Sequence, residues 1–535
     1  MKTSIAMVIL LLVAAGLLFG SAVGQPPPIP TQEQPEVLTR GPVHEAFSEP
    51  VILQIQAGLV VPNQPPDDID EIPPAERPRG DDFVWVPGYW SWDGDRDSFI
   101  WVSGCWRAAP PTMSWVPGYW SQEADGWEWV AGFWTPADIQ DIEYLPAPPE
   151  SDYMQPSSPS PSSDDIWVPS CQYWNQDHYI QRPGYWLAAN PNWVWTPSHY
   201  VWTPRGYIFC DGHWDYPLEN RGVLFAPVYF PQSIYSRSAY RYSPSIIVDL
   251  GILTINLFTY PRYSHYYFGD YYDNAYLSIG IYPRVEVDRI HTWYDPTYAY
   301  DRWHHRSDPR WEENQRHEYD RRYADKELRP PKTYHEMESR PSDNMPGQQR
   351  NNFRIVAPLT VVAARKETSL KFDHIDAGAQ QKIAAQATAV RSFTAQRNRW
   401  ESTSVPQQSV QRPVEHNARV TVPTEHKDPV TAAERKGPTT PSTERKVQAT
   451  QPGQTKAPFV RPAAVHVTQP ERVKVPAAPI VGKHTATQKS PPPRPVNERK
   501  YKSEAKVTPE DNQNSANTKA KAKNKTKDKG KDKGR

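Results

Sequence analysis

The chain has 535 residues, with 60 Lys and Arg against 61 Asp and Glu, 59 prolines and three cysteines. That length allows about three or four domains before unfolded parts are subtracted, and so few cysteines exclude a disulfide framework as the source of stability. The near-zero net charge conceals polarity: residues 25–165 carry 24 Asp and Glu against 5 Arg, a net −19, while residues 404–535 carry 27 Lys and Arg against 12 Asp and Glu, a net +15. Such a distribution bears on association rather than on fold.

Residues 1–24 open with one lysine and an apolar run from Ile5 to Phe19, then small residues with Ala22 and Gly24 before Gln25. This layout predicts a cleaved signal peptide and export to the periplasm, outer envelope or extracellular space. The run is short for a bilayer span, and no cysteine follows it for lipid attachment. A later apolar run, Ile246 to Phe258, contains Asp249 and Asn256 and is also too short to span, so no transmembrane helix is expected in the mature protein.

Residues 25–82 form a Pro-rich acidic segment, in which VILQIQAGLVV at 51–61 reads as an added strand. A first repeat tract occupies 83–150. WVPGYW at 85–90 returns unchanged at 115–120, with WVSGCW at 101–106 and WVAGFW at 129–134. The motif starts are spaced 16, 14 and 14 residues apart. The repeat-core residues are Trp85, Gly88, Trp90, Trp101, Gly104, Trp106, Trp115, Gly118, Trp120, Trp129, Gly132 and Trp134. A Ser/Pro linker follows at 151–165, and then a second, degenerate tract at 166–230. Steps of 14 from WVPSCQ at 167 reach QRPGYW at 181, WTPSHY at 195 and FCDGHW at 209; a step of 16 reaches FAPVYF at 225. Fixed-period repetition means one small unit stacked on copies of itself.

Alternation such as Trp127-Glu128-Trp129, with turn residues between cassettes, predicts antiparallel strands. The Pro-Gly pair at 87–88 and 117–118 reads as a kink or bulge, or else as a type II turn; the kink is preferred because Ser103 and Ala131 replace the proline without breaking the period. Residues 83–134 contain one Ile, one Met and no Leu, so aromatics must supply the core; each buries roughly 150–250 Å². The expected fold class is mainly β, an antiparallel aromatic-repeat meander (sheet, sandwich or barrel), followed by helical segments and a long disordered tail.

These cassettes resemble the WXXGXW (YXWGXW) repeats of exported bacterial proteins. The resemblance covers roughly a quarter of the chain and implies an exported, envelope-associated protein; it supplies no catalytic residues. In the second tract most units replace the Trp or the Gly.

A Tyr-rich β region is expected over 231–300, with strands at Ile246–Phe258 and Tyr276–Val287. Charged helical segments follow over 301–403. The second of these helices spans Asp376–Glu401, with a narrow stripe of Ile383, Val390, Phe393 and Trp400 that would dock weakly or only on a partner. Residues 404–535 are too polar to bury a core and read as a disordered basic tail.

Catalytic signatures such as GxSxG, HExxH and GxxxxGK[ST] are missing from the sequence. His304, His305 and His317 read as surface histidines, and Asp93, Asp95 and Asp97 as a hairpin turn rather than a calcium loop, because Gly104 stands where the loop needs Glu. No catalytic residue, metal or cofactor is therefore expected. The expected function is a non-enzymatic envelope or matrix protein whose basic tail tethers it to anionic envelope polymers or polysaccharide, without specific nucleic-acid binding. The alternative is a glycan-binding module using exposed aromatics, with Tyr266-Tyr267-Phe268 and Tyr271-Tyr272 as candidate platforms.

Overall fold

A computed structural model describes residues 34–55, 58–150, 155–156, 158–237, 240–340, 353–365, 370–402, 471–474, 480–481 and 490–498. The signal-peptide reading of 1–24, part of the Ser/Pro linker and most of the 404–535 tail lie outside those residues.

The cassettes fold in pairs. The first pair runs Phe83–Val86, Tyr89–Asp93, Ser98–Val102 and Cys105–Ala108. Its outer strands pair with each other, as do its inner strands, giving one long hairpin interrupted midway. A second hairpin runs Met113–Val116, Tyr119–Glu123, Gly126–Val130 and Phe133–Pro136. A third comprises Asp165–Val168, Cys171–Asn175, His178–Arg182 and Tyr185–Ala188. The fourth comprises Val194–Thr196, His199–Thr203, Gly206–Cys210 and His213–Asp215.

Register explains the spacing. In the first hairpin Val86 faces Cys105 and Tyr89 faces Val102, so each side skips the same two residues and pairing resumes in step. The same holds where Val116 faces Phe133 and Tyr119 faces Val130. A bulge would shift the register and a type II turn would reverse the chain, so the Pro-Gly step is a kink. The turn of the first hairpin closes at Asp93–Ser98, and those of the others at Glu123–Gly126, Asn175–His178 and Thr203–Gly206. Four loop residues against two account for the spacing of 16 instead of 14.

The architecture is mainly antiparallel β, in many small sheets and with no closed barrel. It is not a consecutive meander, because short strands from elsewhere cover the hairpins. Val60–Val61 pairs with Gly126–Val130, Gly222–Val223 with Cys105–Ala108, and Asp141–Leu145 with Gly206–Cys210. The 51–61 run supplies two short strands, Val51–Ile52 and Val60–Val61, rather than one. FAPVYF at 225 forms no further hairpin; Val228–Tyr229 adds to the sheet of the first.

Several expectations need correction. Ile246–Phe258 breaks into a strand, helical turns and a second strand, because Asp249 caps Leu250–Leu253 by accepting from the Gly251 N–H. Tyr276–Val287 is largely helical turns around the short strand Tyr282–Pro283. Tyr266, Tyr267, Phe268, Tyr271 and Tyr272 are buried rather than exposed. Beyond its expected strand, the described part of the acidic N-terminal segment also places Leu38, Val43, Ala46 and Phe47 in the core.

The helix Ala377–Ser402 docks fully. Besides Val390 and Phe393 it buries Arg397 and Glu401 as an ion pair at 3.0 Å. Arg397 also donates to the Pro117 and Ala131 carbonyls at 2.7 and 3.1 Å, inside the second kink. Polar anchoring therefore replaces the wide apolar stripe the sequence lacks. Parts of the tail also pair: Glu471–Lys474 with Asp141–Leu145, and Ile480–Val481 with Met113–Val116. Among the described residues, no helix is long and apolar enough to cross a membrane.

Cys105, Cys171 and Cys210 are all buried free thiols, and burial pushes the Cys171 thiol up to about 12. A thiol-alkylating reagent should therefore leave the native protein unlabelled at neutral pH and add three labels after denaturation, counted by intact mass. Rapid native labelling, or fewer than three labels without reductant, contradicts this arrangement.

Candidate functional site

The candidate site begins with the fixed residues of the cassette. Cross-strand register sets the first Trp of one cassette opposite the last Trp of its partner. Trp85 faces Trp106, Trp90 faces Trp101, Trp115 faces Trp134 and Trp120 faces Trp129. Their ring centroids lie 5.2, 5.2, 5.2 and 5.6 Å apart, at interplanar angles of 68, 79, 59 and 69°. This is the edge-to-face range, worth about 0.5–1.5 kcal/mol per pair beyond burial. All eight of these indoles are buried. The third and fourth hairpins repeat the outer pair as Trp167–Trp186 at 5.3 Å and Trp195–Trp214 at 4.9 Å.

The glycines are required by contact. A Cβ on Gly118 would lie 2.5 Å from Trp129 Cζ2, and one on Gly132 would lie 2.4 Å from Trp115 Cζ2. Gly104 sits likewise against Trp85, Gly88 against Trp101, Gly184 against Trp167 and Gly212 against Trp195. In every pair the leading indole of one cassette covers the glycine of the other. None of Gly88, Gly104, Gly118 and Gly132 has a left-handed φ, so the approach of the indole, not the backbone dihedral, requires glycine there.

At the kink the glycine N–H groups turn away from the ladder and must find another acceptor. In the first hairpin Gly88 donates to Glu71 at 2.8 Å, Gly104 donates at 3.0 and 3.1 Å, and Trp101 Nε1 donates at 3.1 Å. In the second, Gly118, Gly132 and Trp129 Nε1 donate to Glu45 at 3.1, 3.1 and 3.2 Å. One carboxylate outside the repeats thus gathers two backbone donors and one indole donor in each hairpin. The fourth hairpin uses a relay: Gly212 donates to Ser198 Oγ at 2.9 Å, and Ser198 Oγ donates to Glu498 at 2.9 Å. Glu498 also accepts from Tyr185 at 3.3 Å and pairs with Arg182 of the third hairpin at 3.4 Å. It belongs to the 404–535 tail, one residue of which is thus buried against the hairpins.

Sequence reasoning missed Glu45, Glu71 and Glu498. Each sits in a Pro-rich or charged context resembling its neighbours, and no local spacing ties it to a cassette. Burial pushes the Glu45 carboxyl up to about 7, against the pull of its N–H donors and of Arg397. Glu71 is raised for the same first cause. A second buried charge cluster joins the first and fourth hairpins, where Arg107 and Arg221 reach Asp215 at 2.6 and 2.9 Å. His305 stacks on Trp311 at 5.1 Å. Asp95 pairs with Arg40 at 2.7 Å in the first turn. Among the described residues no group of three His, Cys, Asp or Glu is placed to hold a metal.

Two predictions follow from this geometry. Gly118→Ala should lower stability by about 1–3 kcal/mol, because the added methyl overlaps Trp129 and the Val130 carbonyl. Gly94→Ala, in a turn with nothing within 4 Å of the new methyl, should stay within about 0.5 kcal/mol. Chemical denaturation of both variants checks the contrast. For pH the sign is set by a folded-state value above the ordinary 4.5. The folded protein then holds more protons between about pH 4.5 and 7, so the Glu45 contribution to stability falls as pH rises through that window. Relative to Glu45→Gln, wild type should lose up to about 1.4 kcal/mol per pH unit there; parallel stability–pH curves contradict a titrating Glu45.

Comparison with known proteins bears on the same segments. The family model described as "WXXGXW repeat (2 copies)" matches residues 80–107, 113–135 and 190–216. Those are the first, second and fourth hairpins, and its two copies correspond to the two cassettes of one hairpin. The third hairpin repeats the geometry outside the match, with Ser170 at one glycine position. No curated protein and no solved structure matches the chain. Within residues 80–216 the chain therefore carries WXXGXW repeats, built from cassettes that fold two at a time.

Proposed function

We propose that this is a non-enzymatic, exported structural or interaction protein of the cell envelope or its surrounding matrix, held to anionic polymers by its basic C-terminal end. The observation that carries the reading is the use made of the cassette residues. The Trp and Gly of the first two hairpins are consumed in packing and kink formation, which suits a scaffold. The signal-like N-terminus supports export.

The tether begins at Glu498. Glu498 is anchored between the third and fourth hairpins, and the sequence after it, 499–535, has 13 Lys and Arg against 5 Asp and Glu, a net +8. Segments 471–474 and 480–481 belong to the body, so truncation must spare them. The test compares full-length protein with a form ending at Glu498 on immobilised polygalacturonate and on neutral dextran. The full-length protein should bind polygalacturonate at low salt and elute by about 0.5 M, where screening reaches only a few ångströms. The truncated form should lose that retention while keeping its melting temperature. Equal retention of both forms, or retention insensitive to salt, overturns the tether.

A further inference from the structure

We propose that the cleft between the third hairpin and the helix Pro296–His304 binds a neutral saccharide. The cleft encloses about 500 Å³, inside the roughly 300–1,000 Å³ range of small-molecule sites. Its lining includes Trp167 and Trp186 from the hairpin, and Trp293, Tyr298 and Trp303 from the opposite side. In the first two hairpins the cross-strand tryptophans are sealed. Here Trp167 and Trp186 are both half-buried, an edge-to-face pair left beside an open space. Aromatic surface next to hydroxyl-seeking groups suits a sugar, whose ring offers an apolar C–H face and a polar rim.

The second observation concerns unmet donors. Trp293, Tyr294 and Trp303 line the cleft, and their Nε1, Oη and Nε1 atoms are buried with no hydrogen-bond partner among the described residues. Leaving such a group unpaired is unfavourable, and an indole N–H can only donate. Trp85 and Trp106 also lack acceptors, but they stand edge-to-face at 5.2 Å, a geometry in which one ring's edge can meet the other's face. Trp293 has no such geometry with its stacking partner. It lies parallel to Tyr282, 5.4 Å away at 14°, so its N–H edge cannot address that ring. Arg306 lies over Trp303 at 4.5 Å.

Charge selects the class of sugar. Arg302 pairs with Glu312 at 2.7 Å, Arg306 with Asp164 at 2.9 Å, and Asp295 with Arg284 at 3.0 Å. These cations are already matched by carboxylates, leaving hydroxyl recognition rather than capture of a uronate or phosphate. The Ser/Pro segment borders the opening: the Ser158 carbonyl accepts from Trp186 Nε1 at 3.1 Å, and Gln155 meets His291 at 2.6 Å.

The experiment titrates full-length protein with soluble neutral oligosaccharides of glucose, mannose and N-acetylglucosamine, and with oligogalacturonate, following tryptophan fluorescence. At least one neutral oligosaccharide should give a saturable change by about 10 mM, as expected for a dissociation constant near 1 mM. Trp186→Ala should weaken it at least about tenfold, and Tyr294→Phe, which removes one hydroxyl and no packing, about fivefold. Salt should have little effect, and the form ending at Glu498 should bind equally, so failure here is distinguishable from failure of the tether. No saturable response to any neutral sugar, a response to oligogalacturonate alone, or unchanged affinity in folded Trp186→Ala and Tyr294→Phe overturns the assignment.

Discussion

The structure depends on how closely an indole can approach the glycine of a facing strand. With Trp115 over Gly132 and Trp129 over Gly118, even a methyl group at either glycine would overlap the ring. The arrangement is reciprocal, so one Trp-x-x-Gly segment is incomplete without a second. The residue two positions after the glycine then meets the partner's leading Trp across the strands, closing the set of contacts. The smallest complete unit is therefore a pair of cassettes, which is why the chain repeats them in twos.

In the first two hairpins that approach leaves two glycine N–H groups without ladder partners at each kink, in a place remote from water. Leaving them unpaired would cost about 1–3 kcal/mol each, comparable with the gain from the indole pair. Glu71 and Glu45 meet this demand with charge-capable acceptors. The consequence reaches beyond the hairpins. The acidic segment preceding the repeats must thread through them to deliver its carboxylates, and the long C-terminal helix must cross the second kink so that Arg397 can satisfy its carbonyls. Sparse polar contacts, with aromatic packing around them, thus tie distant parts of the chain to one body.

The third hairpin departs from this plan in an informative way. Gln172 and Gln181 occupy the inner cross-strand positions where the first two hairpins place a second Trp pair. Ser170 stands at one glycine position, and the outer Trp167–Trp186 pair stays half-buried. Relaxing the motif therefore opens the aromatic wall instead of abolishing the hairpin, because register and turn length are retained. A scaffold can acquire a recognition surface in this way without a change of topology.

Much of the local architecture was legible in the residues themselves. Alternation and turn chemistry gave the antiparallel strands, the period of 14 gave the units, and the scarcity of Ile, Leu and Met in 83–134 called for an aromatic core. Helical spacing located Ala377–Ser402 to within a residue or two. Pairing order, kink geometry and the partners of the glycine N–H groups were decided by tertiary structure. A single sequence cannot show that Glu45 rather than Glu49 reaches Gly118 and Gly132, because both carry the same carboxyl and nothing local distinguishes them. Nor could it show that Tyr266 and Tyr267 are buried, since a tyrosine run reads alike whether or not another element covers it. Periodicity records what each strand does along its own axis; what lies above it depends on segments tens or hundreds of residues away.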